Sequence, residues 1–173
     1  SHRGGGPVFG RNADGSFDGY MYVAVGDQFR YTTAQDISGN FEGGTMRIAV
    51  DVTDNGDGTW TCPAGSHQPI RRMQEVTGNP DEMTGHQYCV PDDNPWISPS
   101  GDNFEEYNSI GHRNPHRIVV DPLNGRMWSG EIGQSTREEI NVIMTGRNYQ
   151  WPYREGLTDG VRAKPTNVIG IEQ

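Results

Sequence analysis

Residues 111–156 read G-H-R-N-P-H-R-I-V-V-D-P-L-N-G-R-M-W-S-G-E-I-G-Q-S-T-R-E-E-I-N-V-I-M-T-G-R-N-Y-Q-W-P-Y-R-E-G. Two strand-like runs, 117–121 and 126–130, flank the turn Pro122-Leu123-Asn124-Gly125. An Asn-Gly step ahead of a strand is a strong hairpin signal, because both residues tolerate positive φ. Polar residues crowd both ends of this apolar hairpin. His112, Arg113, Asn114 and His116 precede it; Glu131, Gln134, Glu138 and Glu139 follow it. Such crowding exceeds what a turn needs and puts a chemical site at the mouth of a β-structure.

The same pattern extends upstream. Pro7–Gly10 and Tyr20–Val25 read as a strand pair around an Asp14-Gly15 turn that extends through Ser16–Gly19. Thr45–Val52 and Thr59–Cys62 flank a polar turn at Thr53–Gly58. The run Asp51–Gly58 superficially resembles a calcium loop but lacks the distal Glu of an EF-hand, so a polar hairpin is expected. Asp92-Asp93 before Asn94-Pro95 reads as a turn. Residues 63–109 are rich in Pro and Gly with little periodicity, and read as a long loop insertion within one domain spanning 1–173. A weak internal repeat, D-G-Y-M-Y-V at 18–23 and N-G-R-M-W-S at 124–129, fits repeated sheets.

Bulk properties agree. The chain has 173 residues, 24 of them Gly, and only 32% are hydrophobic. Short strands joined by polar loops, an all-β sandwich or propeller, is the natural reading. A net charge of −9 argues against a nucleic-acid partner. No run approaches the ~20 apolar residues of a membrane span. Cys62 and Cys89 flank the irregular loop, so either a disulfide formed in an oxidising compartment or two free thiols is open.

The ordered set GHRNP (111–115), DPLNGRMW (121–128), GEIGQ (130–134), EEIN (138–141) and NYQWPYREG (148–156) resembles the soluble glucose/sorbosone dehydrogenase family. DGYMYVAVGDQ (18–28), AQD (34–36), GGTMRI (43–48) and DNPW (93–96) match in the same order. That family consists of six-bladed β-propellers that hold pyrroloquinoline quinone (PQQ) and calcium, and includes a hedgehog-interacting-protein branch. The resemblance covers nearly the whole chain. At about 40–50 residues per blade the chain supplies roughly three to four blades, so it is expected to be part of a longer protein.

The resemblance implies the following roles. His2 would be the general base for an aldose anomeric hydroxyl, with hydride passing to PQQ and a lactone as product. Arg113 and Asn114 would contact the quinone, Arg113 stabilising charge that develops on reduction. His116 and Ile132 stand where some members carry Gln facing the cofactor. His116 can replace a polar contact; Ile132 cannot. Gly133 and Gln134 would offer carbonyls to a Ca²⁺ that polarises the quinone. Glu139 and Tyr149 would serve a separate calcium site. Among the aromatics, Trp151 is the better sugar-cleft candidate and Trp128 reads as core. Electrons would leave to an external acceptor such as a cytochrome, in a periplasmic or secreted protein. The alternative is a non-catalytic calcium-binding propeller of the hedgehog-interacting type that binds a protein partner. A calcium-only lactonase-like propeller ranks last, because Asp and Asn ligands are not spread through the chain.

Overall fold

The chain folds back on itself at Asx turns in several places, Asp14, Asp54 and Asp121 among them. The computed structural model describes residues 2–71 and 88–173. Val8–Arg11 (β1) pairs antiparallel with Phe17–Val25 (β2), and β2 with Gly44–Ala49 (β3) over six residue pairs, Tyr20↔Ala49 to Val25↔Gly44. Two short antiparallel pairs follow: Thr53–Asp54 (β4) with Trp60–Thr61 (β5), and Ser66–His67 (β6) with Val90–Pro91 (β7). Tyr107–Ile110 (β8) then closes the first meander against β3. Pro115–Val120 (β9), Met127–Glu131 (β10) and Glu139–Ile143 (β11) form a second antiparallel meander. Arg147–Asn148 (β12) runs parallel to β8 and to Ile171–Glu172 (β15), which extends the first sheet to six strands. Arg154–Glu155 (β13) and Thr158–Asp159 (β14) make a last hairpin. The described helix content includes one 3₁₀ turn, Thr33–Gln35.

The two meanders meet over Ala24, Ile118, Met127, Ile143 and Tyr149. Burying an aliphatic side chain such as Ile118 contributes roughly 1.5–3 kcal/mol. A second cluster, Ile37, Met46, Phe104, Tyr107 and Ile110, lies on the other side of β3 and β8. A third gathers Ala49, Trp60 and Cys89 beside the Cys62–Cys89 disulfide, whose Cα atoms are 5.8 Å apart.

Several boundaries differ from the sequence pattern. The first turn needs only Asn12–Ser16, because Asp14 accepts hydrogen bonds from both the amide and hydroxyl of Ser16, so β2 starts at Phe17. In the β9–β10 turn Gly125 alone has positive φ, +70°; Asp121 and Asn124 shape the turn with side-chain oxygens. The Asp51–Gly58 run is a polar hairpin turn, held by Asp54 and Asp57 on Gly56 and Thr59. Within 63–109 the described residues hold β6 and β7, and β8 begins at Tyr107; residues 72–87 of that stretch lie outside the described residues. The sequence hides β8 because Tyr107-Asn108-Ser109-Ile110 is buried on both faces while half of it is polar. The described strands form two blade-like meanders, against roughly three to four from blade length.

Candidate functional site

Asp27 ends the first meander's middle strand, after Val25-Gly26, and is fully buried. A buried carboxylate is costly unless its lone pairs are filled. Here His2 Nδ1 donates to Oδ1 at 2.6 Å, the Phe29 amide to Oδ1 at 3.0 Å, and Trp151 Nε1 to Oδ2 at 2.8 Å. The Asp27 amide donates to the Arg113 carbonyl at 2.8 Å. A Cβ at Gly26 would lie 2.7 Å from the His2 Cβ, so glycine is needed for His2 to seat. With Nδ1–H given to Asp27, the imidazole lone pair sits on Nε2, which bonds to no described residue. Gln28 and Phe29 follow at φ +51° and +65°. Left-handed backbone costs a side-chain-bearing residue roughly 1–2 kcal/mol, and the strain sits beside the dyad. The exposed Phe29 ring packs on the imidazole, centroids 3.8 Å apart.

Arg113 leaves the tight turn between β8 and β9. Its guanidinium donates to Ile132 O at 2.9 Å and, through Nε and Nη2, to Gln134 Oε1 at 3.1 and 2.5 Å. It also lies over Trp151, 5.5 Å from the ring centroid. The Ile132 main chain thus supplies a contact its side chain cannot. Asn114 is buried; its amide donates to Glu131 Oε1 and its carbonyl accepts from Ile132.

Behind this layer runs a buried polar chain. His112, with no exposed surface, bonds Glu131 at 2.7 Å through Nδ1 and Ser109 at 2.9 Å through Nε2, and stacks on Tyr149 at 4.4 Å. Ser109 continues to Thr45 at 2.6 Å. This chain ties β3, β8 and β10 together under the site.

The loop between β10 and β11 wraps around Glu155. Oε1 of Glu155 accepts from the amides of Gln134, Ser135, Thr136 and Arg137 at 2.5, 2.8, 3.0 and 3.3 Å, and the Thr136 hydroxyl donates to Oε2. Burial alone would raise this carboxyl's pKa, but the hydrogen bonds from Thr136, Ser135 and Arg137 hold it down at about 2. The carbonyls of Gly133 and Gln134 accept no hydrogen bond from a described residue. Glu139 accepts from Gly156 N at 2.5 Å and from Asn141 at 3.0 Å. The Tyr149 hydroxyl donates to Val142 O and accepts from Met144 N at 3.0 Å; its burial pushes the phenol up to about 12.

The fold therefore sets Arg113 against Gln134 and, through the Asp27 amide on its carbonyl, next to the His2–Asp27 pair, and Arg113, Gly133, Glu139, Tyr149 and Trp151 line one gap. Glu139 and Tyr149 also share a cleft of about 300 Å³. His116 is set apart. A bulge opposite Gly130/Glu131 leaves it unpaired, since Gly130 faces Arg117 and Glu131 faces Pro115, and its side chain is exposed. Trp128 is half-buried and Trp151 fully so. Sequence reasoning missed Asp27 and Glu155. The signal for Asp27 was an acid placed directly after Gly at the end of an alternating strand; Glu155 carried none, looking like a turn acid.

The glucose/sorbosone dehydrogenase family model matches residues 70–162, more than half of the chain. Aldose sugar dehydrogenase YliI of Escherichia coli K12 is 30% identical over 152 residues, covering 88% of this chain and 29% of that protein. Quinoprotein glucose dehydrogenase B of Acinetobacter calcoaceticus is 40% identical over 70 residues, 40% of this chain and 14% of that one. A solved structure described as a glucose dehydrogenase superposes with TM-score 0.61 at 25% identity, covering all of this chain and 38% of that one. The chain spans less than a third of the length of these curated relatives, and its two meanders form part of a six-bladed β-propeller. By the family model and by its relatives, the chain belongs to the glucose/sorbosone dehydrogenase family.

Proposed function

We propose that the protein oxidises the anomeric hydroxyl of an aldose sugar to a lactone, with PQQ as the oxidant. The buried His2–Asp27 dyad beside Arg113 carries this reading. His2 Nε2, with its lone pair free, accepts the hydroxyl proton. Asp27 holds the tautomer and balances the imidazolium charge, as an orienting carboxylate does in other general-base pairs. Trp151 fixes Asp27, so the base cannot swing away.

The residues fit a flat, multiply carboxylated quinone. A guanidinium lies over an indole face, an amide side chain sits next to it, and two unbonded main-chain oxygens lie close by. PQQ, when bound, supplies an ortho-quinone that accepts the hydride equivalent. Arg113 and Asn114 would hold it by hydrogen bonds, and Arg113 would offset negative charge on an accepting carbonyl. His116 would approach only from the rim. Among the described residues no group of three or more His, Cys, Asp and Glu is arranged to hold a metal. A calcium here would therefore rest on the Gly133 and Gln134 carbonyls, and a second on Glu139 and the Tyr149 main chain. The Cys62–Cys89 disulfide suits a periplasmic or secreted protein, where an external acceptor such as a cytochrome would take the electrons. One observation favours a second reading, a protein-binding calcium propeller of the hedgehog-interacting type: Ile132 offers an exposed apolar side chain at the site's rim.

The test is titration of the full-length, calcium-loaded protein with PQQ and then glucose. A bound-quinone spectrum that bleaches with the aldose supports the dehydrogenase; calcium uptake without quinone uptake sinks it. His2→Asn should keep quinone uptake and lower turnover about 10²–10⁴-fold.

A further inference from the structure

We infer that Glu155 is a positioning residue: its carboxylate is the template on which the 133–137 loop forms, and through that loop it aims Gln134 at Arg113 and sets the quinone pocket. The inference rests on the dehydrogenase reading above.

The loop has little else to shape it. Gln134, Ser135, Thr136 and Arg137 are exposed, so core packing does not select their backbone. Four successive amides instead converge on one carboxylate oxygen, and the Thr136 hydroxyl takes the other. Converging amides of this kind form an anion-binding nest, filled here from within the chain. The loop closes tightly around it: a Cβ at Gly133 would fall 1.7 Å from Arg137 O and 2.6 Å from Glu155 Oε1.

Glu155 is fixed independently of the loop. It is 3% exposed, pairs with Thr158, accepts the Thr158 hydroxyl on its carbonyl, and precedes Gly156, whose amide is bound by Glu139. The loop's outward product is the Gln134 side chain, whose oxygen takes two hydrogen bonds from Arg113. Without the carboxylate, four amides of like polarity would face one another, and the loop would have to re-form. Arg113 would keep Ile132 O but lose Gln134.

The experiment is a spectral titration of calcium-loaded, full-length apo-protein with PQQ, for wild type, Glu155→Gln, Gln134→Ala and the double variant. Expected are losses in quinone affinity of about tenfold for each single variant, with the double no worse than the poorer single, because both act through one contact. Sugar KM at saturating quinone should stay unchanged. Wild-type affinity in Glu155→Gln, or losses that multiply in the double variant, would overturn the inference. If Glu155→Gln does not fold, Thr136→Val removes a single hydrogen bond. It should weaken quinone binding about two- to fivefold and again not compound with Gln134→Ala; unchanged or compounding affinity there overturns the inference. A wild-type protein that takes up no quinone overturns the dehydrogenase reading and this inference together; normal wild-type uptake with an unaffected Glu155→Gln overturns this inference alone.

Discussion

His2 and Asp27 show how a side chain's value depends on what its second atom is doing. The Asp27→Asn variant keeps the shape but removes the charge that balances an imidazolium and allows the wrong tautomer. It should lower kcat about 10²–10⁴-fold while leaving quinone affinity near wild type, measurable by steady-state kinetics beside the PQQ titration. Glu155 gives a prediction for pH. Its carboxyl is depressed from an ordinary 4.5 to about 2, so between those values the folded state stays ionised while the unfolded state takes up a proton. Its stabilisation, on the order of 3 kcal/mol, is present above pH 4.5 and fades as pH falls toward 2. In metal-free protein, the urea-unfolding gap between wild type and Glu155→Gln should shrink across that window. The polar run that holds Arg113 and Asn114 before a strand was legible in the sequence; the cofactor contact proposed for them comes from the family resemblance. Asp27 was not, because its partners His2, Arg113 and Trp151 are remote in sequence, and only folding converts one acid among many into a buried one.

Individual strands carry different amounts of information. β2 and β10 were readable because each alternates and follows a turn rich in Gly, Asn or Asp. β8 was unreadable, since its Asn108 and Ser109 are satisfied by the buried chain from Thr45 to Glu131 rather than by solvent. The bulge in β9 likewise has no sequence mark, yet it leaves His116 unpaired and exposed at a position where the resemblance implied a cofactor contact. The β9–β10 turn offers a direct check. Gly125 has φ +70°, and a Cβ there would lie 2.2 Å from Arg11 O. Gly125→Ala should therefore cost about 2 kcal/mol or more and lower Tm by thermal denaturation, because backbone strain adds to a backbone clash.

On the scale of the whole molecule, the two meanders are joined by a shared apolar layer and by the buried polar chain from Thr45 to Glu131. The all-β class and the family were legible from ordered motifs over the chain. Cys62 and Cys89 are 27 residues apart. Replacing both with Ser should cost about 3–4 kcal/mol, an estimate from the closed-loop entropy model. Denaturant unfolding would read that cost, and quinone uptake by the intact protein should survive, since neither Cys touches the Arg113 cluster.

The Trp151–Asp27 hydrogen bond spans 124 residues. A ribosome releases His2 and Asp27 long before Arg113, and Trp151 later still. Until residue 151 is made the dyad lacks the indole that fixes Asp27, and until residue 113 the guanidinium beside it. Any chain stalled before residue 151 would hold His2 and Asp27 without the indole that fixes the carboxylate. The buried carboxylate would therefore gain its full set of donors only once the second meander has been made.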